Sequence, residues 1–252
     1  MRTLEVLFTP AEFAGLHQRD LSETVCVVFD VLRASSTMVT ALVNGAAGII
    51  PVGEIAEAQV IRRWEPEAVL AGERDGLRIQ PELSGGVAFD LGNSPREFTR
   101  DKVGGKTIVM TTTNGTRALR ACAQARRVLV GSFLNLGATA DLLKEDPPKR
   151  LLVVCSGTLE QAAFEDALAA GALCDSIWPQ YRSGAVADSA GMAQRLFHLE
   201  EKDLLAAVAQ SRNGQRLLGR PELEADVAFC AQRDVFPLVA ELGPDGFVRR
   251  RD

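Results

Sequence analysis

Six short apolar runs constrain this chain more than any other feature: Val25–Phe29, Gly48–Val52, Ala68–Ala71, Thr107–Met110, Val128–Val130 and Leu151–Cys155. They are rich in Val, Ile and Leu and bounded by turn residues, as strands buried on both faces are. Between most of them lie segments with helical spacing. Ser36–Asn44 has Met38, Val39, Leu42 and Val43 on its apolar positions and stops at Asn44-Gly45, while the Ala-rich Thr116–Arg126 leads into Val128. Strand and helix alternating at this pitch predict an α/β fold: a three-layer αβα arrangement around a mostly parallel sheet. Three stretches follow one strand–loop–helix plan, beginning VVFDVLRASS, TIVMTTTNGT and LLVVCSGTLE. They suggest repeated units whose strand ends present three similar loops to one pocket, although α/β units in general look alike.

From Asp188 onward the chain reads as helical and charged. No Pro/Gly/Ser-rich linker interrupts it, so a single domain over 1–252 is expected, with Lys144–Arg150 (KEDPPKR) as the one candidate subdomain boundary. The net charge of -5 argues against a nucleic-acid or anionic-membrane surface. No apolar stretch reaches the roughly 18 residues a membrane span needs, and the N-terminus does not read as a secretory signal. Five scattered cysteines without C-x-x-C spacing suggest neither a disulfide framework nor zinc, and point to a reducing, cytoplasmic setting. The apolar Val235–Leu242 can pack in the core or against a second copy, so a homo-oligomer is left open.

In an open α/β sheet, ligands bind beyond the C-terminal strand ends, where helix N-termini offer unpaired N–H groups to an anion. After the first run comes Asp30-Val31-Leu32-Arg33-Ala34-Ser35-Ser36. Asp30 suits Mg²⁺, a hard cation that prefers oxygen, and Arg33 suits a phosphate taken by both its nitrogens. Plain capping by Ser35 or Ser36, with Arg33 in a surface pair, explains part of the same string. The fourth run ends in Thr111-Thr112-Thr113-Asn114-Gly115-Thr116-Arg117, a dense set of donors in which Asn-Gly permits the positive φ of an anion nest. Gly72-Glu73-Arg74 sets a carboxylate beside a cation. In Asp90-Leu91-Gly92-Asn93-Ser94-Pro95, Ser94 reads as a helix cap with Pro95 in the first turn. Ser156 follows another strand end, and Glu165-Asp166 is either a metal-binding pair or a solvated helix face.

Absent signatures narrow the chemistry. With only His17 and His198, Ser/His/Asp catalysis and a histidine metal site fit poorly. No G-x-x-x-x-G-K-[ST] or G-x-G-x-x-G follows a strand, and Cys155 lacks an Arg six residues on, where Gln161 stands. Oxygen-ligand metal chemistry around a small anion remains.

The strings VVFDVLRASSTMVTALVNGA, GERDGLRI, FDLGNSPREF, GKTIVMTTTNGTRAL, EDALAAGAL and SRNGQRLLGRPELEADVAFCAQRD, in that order, resemble the 2-phosphosulfolactate phosphatase family over nearly the whole chain. One departure is Val87-Ala88-Phe89-Asp90, where the family pattern is nearer G-F-D. The resemblance implies Mg²⁺-dependent hydrolysis of 2-phospho-3-sulfolactate to 3-sulfolactate and phosphate, a step in coenzyme M biosynthesis, with an α/β fold of its own. In that reading Asp30, Glu73 and Asp166 hold the metal. Asp30, Arg33, Ser35, Ser36, Asn114 and Thr116 form the catalytic set. Arg74, Asn93, Ser94, Thr112, Thr113, Gly115, Arg117 and Ser156 contact substrate, with Arg117 or Arg74 on its sulfonate or carboxylate. Attack by water and a phosphoenzyme on Ser35, Ser36 or Asp30 both remain open. So do two other functions, a non-catalytic binder of a small phosphorylated or sulfonated acid and an isomerase of a phosphorylated sugar acid.

Overall fold

The structure is a computed structural model describing residues 1–251. Its strands are β1 (Thr3–Leu7), β2 (Thr24–Phe29), β3 (Gly48–Val52), β4 (Val69–Arg74), β5 (Leu77–Arg78), β6 (Thr107–Thr111), β7 (Arg127–Gly131), β8 (Arg150–Cys155), β9 (Ala185–Val186), β10 (Ala240–Leu242) and β11 (Val248–Arg250). The helices are α1 (Pro10–Ala14), α2 (Ala34–Val43), α3 (Ile55–Trp64), α4 (Arg100–Val103), α5 (Gly115–Ala121), α6 (Leu136–Glu145), α7 (Phe164–Tyr181), α8 (Asp188–Glu200), α9 (Leu204–Gln210), α10 (Arg212–Leu218) and α11 (Glu224–Cys230).

One sheet runs β5-β4-β6-β3-β11-β10-β7-β2-β8-β1-β9. The group β4-β6-β3 is parallel, and so is the group β7-β2-β8-β1-β9. Between them sits the β10–β11 hairpin, antiparallel to both neighbours. This C-terminal hairpin was not legible as strand. Its three-residue strands pair at the centre of the sheet, where tertiary context overrides a weak local signal. Leu238 and Ala240 are buried there, so much of Val235–Leu242 belongs to the core.

The αβα layering follows from the alternation of side chains along fully buried strands. Val25, Val27 and Phe29 of β2 pack with Leu168 and Leu173 of α7 on one face. Cys26 and Val28 face the other way, toward Met38 and Val39 of α2 and Leu119 of α5. A smaller cluster of Val52, Leu70 and Val109 covers the outer half. Lys144–Arg150 lies between α6 and β8, and β8 joins the same sheet beside β2. All five cysteines are buried and free. No helix among the described residues is long and apolar enough to cross a membrane.

Candidate active site

The loop after β2 turns tightly because its own polar groups close it. Ala34 N–H donates to Asp30 Oδ1 at 3.0 Å, and Ser35 Oγ donates to Asp30 O at 2.8 Å while accepting from Asp30 N–H at 3.1 Å. Ser36 Oγ donates to Val31 O at 2.9 Å. The peptide bond between Leu32 and Arg33 is cis. Both serine hydroxyls therefore hold the turn, and Asp30 and Arg33 are the polar side chains it offers to the pocket.

Glu73, at the end of β4, faces the same pocket. Its carboxylate accepts from Thr113 N–H at 2.8 Å and from Gly76 N–H at 2.8 Å, tying the β4–β5 turn to the loop after β6. Thr113 and Asn114 line the pocket. Thr116 does not: its hydroxyl donates to Thr112 O, and its N–H donates to Thr112 Oγ1, a reciprocal closure of the first turn of α5. Gly115 corrects the expectation of a positive-φ nest, since it is not among the left-handed residues. Its lack of a side chain is needed for close approach: a Cβ there would lie 2.6 Å from Asp30 Oδ2 and 2.7 Å from Ala34 Cβ.

The loop after β8 contributes Thr158 and Leu159 to the wall. Asp166, buried at the start of α7, accepts from Val31 N–H at 2.8 Å, Ser156 Oγ at 3.0 Å and Gly157 N–H at 3.1 Å. It thus clamps the β2 and β8 loops together, and it does not line the pocket. Glu165 is buried as well, which removes the solvated-face reading of this pair. Its Oε1 accepts from Asn213 Nδ2 at 2.6 Å, and its Oε2 has no hydrogen-bond partner among the described residues.

Arg33 is buried, and so is its partner Asp226 of α11, 2.8 Å away; a second guanidinium nitrogen donates to Gly76 O at 2.6 Å. This replaces the surface-pair alternative. Asp226 also accepts from Ser94 Oγ at 2.6 Å and lies 3.6 Å from Arg96. Ser94 is consequently no helix cap; its hydroxyl is spent on Asp226, and the turn at Pro95–Glu97 has no side-chain cap. Asn93 lines the pocket, and its buried Oδ1 has no partner among the described residues.

Two of the cations assigned to substrate are engaged elsewhere. Arg74 donates to Glu73 O at 2.7 Å and Thr111 Oγ1 at 3.1 Å, and Arg117 pairs with Glu160 at 2.9 Å on the surface. Sequence reasoning overlooked Asp226, Asn213 and Arg216. All three come from the C-terminal helices, far along the chain from the strand-end loops. The only signal available was the string SRNGQRLLGRPELEADVAF itself, which gives no hint of what it packs against.

Burial pushes the Asp30 carboxyl up to about 6, against the Ala34 N–H that holds it down, and the neighbouring Glu73 adds to the rise. Burial, then the Glu165 and Asp30 carboxylates, drive Asp166 well above its ordinary value. Carboxylates held this close, with few cations free to offset them, suit a bound cation. Among the described residues no three acidic, His or Cys side chains converge as a ready-made metal site. Mg²⁺ does not require one, because it commonly takes one or two carboxylates and completes its shell with water and substrate oxygens. Asp30, Glu73 and the unpartnered Asn93 Oδ1 give an all-oxygen wall of that kind.

These features define an α/β protein with a polar, carboxylate-and-guanidinium pocket where strand-end loops meet. A model of the 2-phosphosulpholactate phosphatase family matches residues 11–244, and the chain belongs to that family. A relative from Caldicellulosiruptor saccharolyticus is 37% identical over 227 residues, spanning 88% of this chain and 90% of its own length. One from Caldanaerobacter subterraneus is 36% identical over 245 residues, 96% of this chain and 97% of the relative. A third, from Thermotoga petrophila, is 38% identical over 86% of this chain and 88% of its own length. Each bears the description "Probable 2-phosphosulfolactate phosphatase".

Proposed function

We propose that this chain is a cytoplasmic, Mg²⁺-dependent phosphatase; its reaction, hydrolysis of 2-phospho-3-sulfolactate to 3-sulfolactate and phosphate, is the one the names of its relatives suggest. The observation that carries this reading is the convergence of Asp30, Glu73, Arg33 and the Thr113-Asn114 turn on one small polar pocket. Asp30 and Glu73 are the residues that would hold Mg²⁺; when bound, the ion would act as a Lewis acid on phosphoryl oxygens. Arg33 has donors beyond the two used on Asp226 and Gly76 O, and the pair fixes its plane at the pocket wall. Asn114 offers its side-chain N–H₂ from the same wall. Such preorganised donors stabilise the charge that spreads over the equatorial oxygens during phosphoryl transfer. Ser35 and Ser36 both donate to backbone carbonyls, so water or Asp30 is the attacking group this arrangement favours. Without metal the Asp30 carboxyl titrates at about 6; as a Mg²⁺ ligand it would be held ionised.

Purified protein incubated with 2-phospho-3-sulfolactate should release inorganic phosphate with Mg²⁺ present and stop with EDTA. Binding of the ester with no phosphate released under either condition would overturn the proposal.

A further inference from the structure

The Arg33 charge is already answered by Asp226, and Arg74 and Arg117 are engaged outside the pocket. Arg216 is different. It lines the pocket, it is exposed, and it makes no ion pair or side-chain hydrogen bond among the described residues. Its guanidinium lies over Gly76, where a Cβ would be 3.7 Å from Nη2. Gly76 is the residue whose carbonyl accepts from Arg33, so two guanidinium groups flank one backbone position, one neutralised and one free.

The helix that carries Arg216 is held firmly. Ser211 caps α10 through Gly214 N–H at 3.0 Å, and Asn213, three residues before Arg216 and on the same face, donates to Thr158 Oγ1 and Glu165 Oε1 at 2.6 Å each. Arg212 adds a hydrogen bond to Thr158 O at 3.0 Å. Asp75 lies on the same stretch of wall but is not within ion-pair distance of Arg216. A fixed helix presenting one unpaired guanidinium at the rim of a pocket is suited to a planar or tripodal anion.

We infer that Arg216 is a specificity-determining residue that takes the second anionic group of the substrate, a carboxylate or sulfonate that is not transferred. This rests on the phosphatase reading above. Because the guanidinium would contact a group remote from the reacting phosphorus, it should bind ground state and transition state alike and act on KM more than on kcat.

The test compares wild type, Arg216→Met and Arg216→Lys on two phosphate esters. One is 2-phospho-3-sulfolactate; the other is p-nitrophenyl phosphate, whose organic part is neutral. In Arg216→Met the KM for the anionic ester should rise roughly 5- to 100-fold, the range for losing a charge-assisted contact at an exposed site. Its kcat should change little, and kcat/KM for the neutral ester should not move. Arg216→Lys should fall between, keeping charge and losing the fork. Equal losses on both esters, or no change on either, would overturn the inference. Calorimetric binding of 3-sulfolactate to the same three proteins needs no turnover: affinity should fall by a similar factor in Arg216→Met, and absent binding to wild type overturns the assignment. Wild type that binds 3-sulfolactate through Arg216 yet hydrolyses neither ester would refute the phosphatase reading and leave this one standing.

Discussion

Removing the charge of Asp226 while keeping its size should destabilise this protein far more than removing any surface carboxylate. In Asp226→Asn the Arg33 guanidinium stays where it is, 3% exposed, with its one charged partner among the described residues gone. Gly76 O still accepts one hydrogen bond, but a carbonyl dipole does not offset a full buried charge. Breaking a buried pair from one side costs about 3–5 kcal/mol, and Ser94 and Arg96 lose a charged acceptor as well. For a chain of this length roughly 2–4 °C of melting temperature goes with each kcal/mol, so the melting point should fall by about 6–20 °C. Calorimetry at fixed pH and fixed Mg²⁺ measures it, since ligand binding to the folded state shifts apparent stability. Two controls make the result diagnostic. Glu160→Gln breaks the exposed pair with Arg117 and should cost under about 1 kcal/mol. The double substitution Arg33→Met with Asp226→Leu removes both charges and should recover most of the lost stability, while the loss of Arg33 lowers activity. An Asp226→Asn protein as stable as Glu160→Gln would show that Arg33 finds solvent or another partner and that its burial is misread.

Other outcomes follow from the same geometry. Asp30→Asn should abolish phosphate release in a single-turnover assay yet unfold at an equal or higher temperature without metal, because burial disfavours the ionised carboxylate. Gly115→Ala should cut kcat/KM by about tenfold or more, since its Cβ would displace the Asp30 carboxylate or α2; near-normal kinetics would refute the close approach. Arg117→Ala should leave kcat/KM within about threefold, as expected for an exposed pair that does not reach the pocket. The pH dependence has a definite sign. Asp30 titrates near 6 when folded against 3.8 ordinarily, so the folded state binds more protons between these values. The Asp30 contribution to metal-free stability should therefore be greatest below about 4 and be lost as pH rises through 6, by on the order of 3 kcal/mol at most, and urea titrations across that window should show it as a wild-type minus Asp30→Asn difference that falls with rising pH.

The layers and the pocket were legible to different degrees, and for different physical reasons. The β2, β3, β6 and β8 strands announce themselves because burial on both faces demands an unbroken apolar run, and that demand is local in sequence. The loops after them announce themselves because a strand end crowded with Asp, Ser and Thr must satisfy its polar groups within a few residues. What local reading does not separate is which hydroxyls face the ligand. Ser35, Ser36, Thr112 and Thr116 look like donors to an anion, yet the backbone of their own turns takes them first. Thr113, Asn114 and Asp30 reach the pocket because those neighbours have already closed the turn. The roles of Asp226 and Arg216 lie wholly outside local reading, since each acts on a loop more than a hundred residues earlier in the chain. The same holds for the β10–β11 hairpin, which joins the two parallel groups of strands and is built from residues at the far end of the chain. The C-terminal segment therefore does two things at once: it joins the halves of the sheet, and it sets the charge at the rim of the pocket they form.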